Sequence, residues 1–145
     1  MDVSSGFMEI SRKLYWKRQS GYSHMLNDAT CFKKIFIVTG YTDLRSGIDR
    51  LADTVRSYLG EDAIEPDTLY LFCGRRTDRI KGLVWENDGY LLLYKRLEAG
   101  KFQWPRTESE VRSITSQQFR WLMEGLTILP KKQVKRLKKA PDYTV

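Results

Sequence analysis

Apolar positions along this chain change period several times, and each change marks an element. Lys33-Lys34-Ile35-Phe36-Ile37-Val38 is β-branched and aromatic and stops at Gly40, which predicts a first strand. Ile48, Leu51, Ala52, Val55 and Leu59 then recur at i, i+3, i+4, i+7 and i+11. That spacing lines one side of a helix, with Asp49, Arg50, Asp53 and Arg56 on the other side and Gly60 ending it. Thr42 or Asp43 is expected to cap this helix, because a short side-chain oxygen accepts from the orphan amides of a first turn.

After an acidic connection, Glu61 to Asp67, three closely spaced strands are predicted at Thr68–Cys73, Arg79–Glu86 and Tyr90–Glu98. Asp88-Gly89 between the last two is a hairpin signal, with Gly expected to take the positive φ of a tight turn. Lys101–Trp104, closed by Pro105, reads as another strand, and Glu110–Ile114 as a further short one. Thr115-Ser116-Gln117-Gln118 has the form of a capping box ahead of Phe119, Leu122 and Met123, the buried side of a second helix stopped near Gly125. The fold class is α+β: a mostly antiparallel sheet of about five strands with two helices on one face. Leu69-Tyr70-Leu71-Phe72 and Leu91-Leu92-Leu93-Tyr94 are apolar on both faces. The sheet face without helices must then bury itself against the rest of the chain, a second copy or another protein.

At 145 residues the chain fits one domain. Its expected organisation is a non-domain extension over residues 1–24, a single domain over 25–129 and a basic tail over 130–145. Residues 1–24 are polar and aperiodic, and Met25 looks like a natural start. No apolar run approaches the ~20 residues that span a bilayer, and the N-terminus lacks the apolar core of a secretory signal, so a cytoplasmic protein is expected. Lys131, Lys132, Lys135, Arg136, Lys138 and Lys139 account for six of the seven net positive charges, so the body of the chain is nearly neutral and the tail draws polyanions.

Candidate chemistry is sparse. There is no Walker-type loop, HExxH, G-x-S-x-G or paired CxxC. Cys31 and Cys73 are far apart and read as ordinary semi-buried thiols. The one histidine, His24, falls in the extension, and Asp43, Asp49, Asp53, Asp78 and Asp88 occupy turn or helix-face positions that need no metal. A non-enzyme without cofactor is expected, with a metal-dependent nuclease built on acidic turn residues as the rival.

Arg75, Arg76, Arg79 and Lys81 cluster around a glycine-led turn, and Lys95 and Arg96 follow in the neighbouring strand. Arginine's planar fork suits bidentate phosphate contact or guanine edges. Trp85, Tyr94, Phe102 and Trp104 are interleaved with these charges, an arrangement that supports stacking on unpaired bases. Two other uses stay open: docking of a protein partner, and structural ion pairs with Asp78 and Glu98.

Five blocks in this chain carry a family resemblance: Thr42-Asp43-Leu44-Arg45-x-Gly47, Phe72-x-Gly74-Arg75-Arg76-x-Asp78-Arg79-x-Lys81, Trp85-x-x-Asp88-Gly89, Lys95-Arg96-Leu97-Glu98-x-Gly100 and Phe102-x-Trp104-Pro105. Together they resemble the TnpB accessory proteins of the IS66 insertion sequences, with Tyr41 standing where proline is frequent. The resemblance spans Met25 to about Leu129. It implies a role in transposition beside a separate DDE-type transposase, with element DNA and that transposase as partners, and it implies no established chemistry.

Overall fold

The computed structural model describes Leu26, residues 29–107 and 109–129, Val134 and residues 136–142. The expected extension over residues 1–24 and the tail residues Lys131, Lys132 and Lys135 lie outside this set. After a short 3₁₀ turn (Ala29–Cys31) come β1 (Lys34–Val38), α1 (Ile48–Leu59), β2 (Thr68–Cys73), β3 (Arg79–Trp85), β4 (Tyr90–Arg96), β5 (Val111–Ile114) and α2 (Ser116–Met123). The strands form one five-stranded sheet in the order β4-β3-β2-β1-β5. β1 and β2 run parallel, joined by α1, and every other neighbouring pair is antiparallel. The α+β class and the mostly antiparallel sheet are as expected.

The helices do not share a face. Leu51, Ala52 and Val55 of α1 pack on Val38, Tyr70, Phe72 and Leu83. Phe119, Leu122 and Met123 of α2 pack on the opposite side, with Ile35, Ile37, Leu69, Leu71, Ile80 and Val84. The physical reason lies in β2, where all six residues are buried. A central strand apolar on both faces needs cover on both, and one helix goes to each.

Lys101–Trp104 is not a strand either. Its aromatic rings serve as plugs: Phe102 and Trp104 sit in the α2-side core, and Trp104 Nε1 donates to the Val38 carbonyl at 3.0 Å. The remaining strand is Val111–Ile114, which pairs antiparallel with β1 from Ile35↔Ile114 to Val38↔Val111.

Local signals fared unevenly. The capping box forms: Thr115 Oγ1 accepts from the Gln118 amide (3.1 Å), and Gln118 Oε1 accepts from the Thr115 amide (2.9 Å). Gly60 ends α1 with φ 100°. Its N-cap, however, is Gly47, which has no side chain to cap with, and the Asp43 carboxylate binds Arg45 instead. In the β3–β4 turn the left-handed residue is Asn87 (φ 71°) rather than Gly89, a conformation asparagine tolerates well. Cys73 is buried, and Cys31 is exposed rather than semi-buried.

Candidate nucleic-acid interface

Parallel pairing of β1 with β2 sets their carboxyl ends side by side, the end of a parallel pair where ligand crevices form in open sheets. Two loops leave from there, residues 39–47 after β1 and 74–78 after β2. The Thr42 amide donates to the Cys73 carbonyl at 2.9 Å. Gly74 allows the close approach, since a Cβ there would lie 3.2 Å from Leu44 Cγ and 3.4 Å from the Thr42 carbonyl oxygen. Arg106 clasps both loops: its guanidinium donates to the carbonyls of Gly40 and Gly74 and lies 4.2 Å from the centre of the Tyr41 ring. Lys81 Nζ adds a further tie, donating to the Ser46 carbonyl at 3.1 Å.

Between the loops lies an open groove of about 810 Å³, lined by Tyr41, Thr42, Asp43, Leu44, Arg45, Gly74, Arg75, Arg76, Arg79 and Tyr94. Asp43 grips Arg45 through two oxygens, with Nε to Oδ1 at 3.0 Å and Nη2 to Oδ2 at 2.9 Å. These hydrogen bonds, with one from the Arg45 amide, hold the Asp43 carboxyl down at about 2. Asp78 is held low in the same way, chiefly by Arg79 (3.0 Å), and it also meets Arg76 at 3.4 Å. The Tyr94 hydroxyl lies beside the Arg79 guanidinium. Arg75 is exposed and makes no hydrogen bond or ion pair with any described residue. Two carboxylates thus face four guanidiniums, and the groove keeps a surplus of positive charge.

The sequence profile of the IS66 Orf2-like proteins matches residues 33–133, which takes in both loops. The chain belongs to the IS66 Orf2-like family. Two Sinorhizobium fredii proteins are similar to it, both named as uncharacterized. Protein y4hO is 32% identical over 93 residues, covering 64% of this chain and 80% of its own length. Protein y4jC is 32% identical over 105 residues, covering 71% and 89%. No solved structure matches. Membership gives this IS66 Orf2-like chain an insertion-sequence-associated role. No helix among the described residues is long and apolar enough to cross a membrane.

Of the expected site residues, Arg75, Arg76 and Arg79 come together in the groove. Lys81 lies on the same side of β3, but its amine is bound to Ser46, so it positions the first loop. Arg96 stands opposite Arg79 in the β3–β4 ladder and pairs with Glu98 at 3.0 Å. Lys95 does not join them. It pairs with Ile80, whose side chain is in the α2-side core, and burial pushes the Lys95 ammonium pKa down. Adjacent strand residues point to opposite faces, so Lys95 and Arg96 cannot serve one surface. In the tail Arg136, Lys138 and Lys139 are exposed, and Lys139 meets Asp142 at 3.4 Å.

The interleaved aromatics also divide. Tyr94 reaches the groove, Phe102 and Trp104 are buried, and Trp85 packs on Tyr90 at 4.9 Å. Sequence reasoning missed Tyr41, Arg45 and Arg106 as site residues. Arg45 was within reach, since it sits in one of the blocks that carry the family resemblance. Asp43, Asp78 and Asp88 do not converge: among the described residues no group of three or more His, Cys, Asp or Glu could hold a metal ion.

Proposed function

We propose that this chain is a non-catalytic accessory factor of insertion-sequence transposition that binds element DNA by its phosphates. The groove lined by Arg45, Arg75, Arg76 and Arg79 is the contact surface, and the basic tail adds sequence-independent attraction. The observation that carries the reading is the charge surplus at the mouth of the parallel strand pair, headed by Arg75 with no partner among the described residues. Guanidiniums held in a fixed fork by Asp43 and Asp78 present their remaining donors at low entropic cost, which suits phosphate oxygens. Family membership supports the process, and the cognate transposase is the second partner of the proposal.

Retention of end-sequence DNA at 50 mM salt tests the reading, with the triple charge reversal Arg75→Glu, Arg76→Glu, Arg79→Glu as the probe. Loss of retention with an unchanged far-UV circular dichroism spectrum is expected. Truncation after Leu129 should weaken all sequences alike, since a basic tail attracts phosphates without reading bases. If wild-type protein retains no DNA and the triple variant instead loses co-purification with the transposase, the groove docks protein and the DNA reading is wrong.

A further inference from the structure

The groove carries two aromatic rings that phosphate binding does not use. Tyr41 is 63% exposed and Tyr94 53% exposed, and both line the groove with the arginines. Most aromatic side chains elsewhere in this fold serve the core: Tyr70, Phe72, Phe102 and Phe119 are fully buried. Tyr41 is also held in place, with the Arg106 guanidinium over its ring at 4.2 Å while most of the residue stays exposed. Tyr94 projects from β4, a strand paired on one side only.

Both rings keep about half or more of their area in water instead of burying it in the core. Set beside guanidiniums in a groove, they form a stacking platform, the arrangement that binds single-stranded nucleic acid. A base inside a duplex already stacks on its neighbours and cannot offer its face to a side chain. The groove volume of about 810 Å³ lies in the range of pockets, roughly 300–1,000 Å³, that enclose a small organic ligand, which is room for a base with its phosphate.

We infer that the groove takes unpaired nucleotides, with bases stacked on Tyr41 and Tyr94 and the flanking phosphates held by Arg45, Arg75 and Arg79. The inference rests on the phosphate-binding reading above and narrows its substrate from DNA in general to single-stranded DNA. Stacking itself is not expected to discriminate among bases, because every base has a π-face.

Fluorescence anisotropy on the full chain tests it with three labelled probes at 50 mM salt: a thymidylate dodecamer, an abasic phosphodiester of equal length, and a duplex of the same length. The thymidylate strand should bind at least about tenfold tighter than the abasic one. Tyr94→Leu should weaken thymidylate binding by about 5- to 150-fold, the range expected for one lost base–aromatic stack, and weaken abasic binding far less. Tyr94→Phe, which keeps the ring, should retain the wild-type affinity, and Tyr41→Phe against Tyr41→Leu should repeat the pattern. Equal binding of thymidylate and abasic strands, untouched by either leucine variant, overturns the stacking inference and leaves the phosphate reading standing. Tighter binding of the duplex than of the thymidylate strand overturns it too. Failure of all three probes to bind overturns both.

Discussion

Replacing Arg106 by Met should loosen the loops that form the groove, and its cost follows from the bonds it removes. Arg106 donates to the carbonyls of Gly40 and Gly74 and covers one face of Tyr41. Methionine keeps most of the aliphatic stem and removes every donor. A hydrogen bond to a charged group contributes about 1.5–3 kcal/mol, and truncating the donor leaves the acceptor to find water. The site is partly buried, so water reaches part of it, and the two bonds together should be worth about 2–4 kcal/mol. Against a total of about 5–15 kcal/mol that is a large share. With a urea slope of about 2 kcal/mol per molar, the unfolding midpoint should fall by about 1–2 M without a change in slope. Arg106→Lys keeps the charge but has no fork to span two carbonyls, and it should recover less than half the loss. A Met variant whose midpoint stays within about 0.3 M of wild type would show that the clasp contributes nothing, and that the loops are held by the Thr42–Cys73 and Lys81–Ser46 bonds and by packing.

Other perturbations probe the core and the electrostatics. Leu51→Asp should unfold the protein, because Leu51 is fully buried against the sheet and an unpaired buried carboxylate costs several kcal/mol; a soluble variant with cooperative urea unfolding would contradict the placement of α1. DNA affinity should stay within about twofold from pH 8 to pH 5, because Asp43, held at about 2, and Asp78, also held low, keep their charge throughout. The sign follows from the depressed values. Any stability these two carboxylates add is present above the ordinary carboxylate range and lost as pH falls through the depressed pKa, so acid titration monitored by circular dichroism should show no loss from them above about pH 5. A binding transition centred near pH 6 would mean that another titrating group controls the groove.

Local sequence carried much of this fold and little of the site. β1, the α1 stripe and the α2 capping box were legible because each depends on residues within a few positions of one another. That the helices take opposite faces was readable in part, since β2 is apolar at every position and such a strand needs two covers. Lys101–Trp104 misled because apolar alternation reports burial, and rings that plug a sheet face alternate just as strand residues do. The groove was illegible for a different reason. Tyr41 and Arg45 meet Arg75, Arg76 and Arg79 only because β1 and β2 are parallel neighbours, and parallel pairing across a helical crossover leaves no local trace. Lys95 is the opposite case, since strict alternation along β4 already forbade it from sharing a face with Arg96.

The salt dependence of DNA binding by wild-type protein and by Arg75→Ala tests the central claim most directly. Each phosphate neutralised by a groove arginine releases condensed counterions, so the logarithm of affinity should fall linearly with the logarithm of salt concentration. Removing Arg75, which no described residue engages, should lower affinity and flatten the slope by about 0.7 on single strands or about 0.9 on duplex, with the circular dichroism spectrum unchanged. An Arg75→Ala protein with the wild-type slope and affinity would mean that the groove does not meet the phosphates.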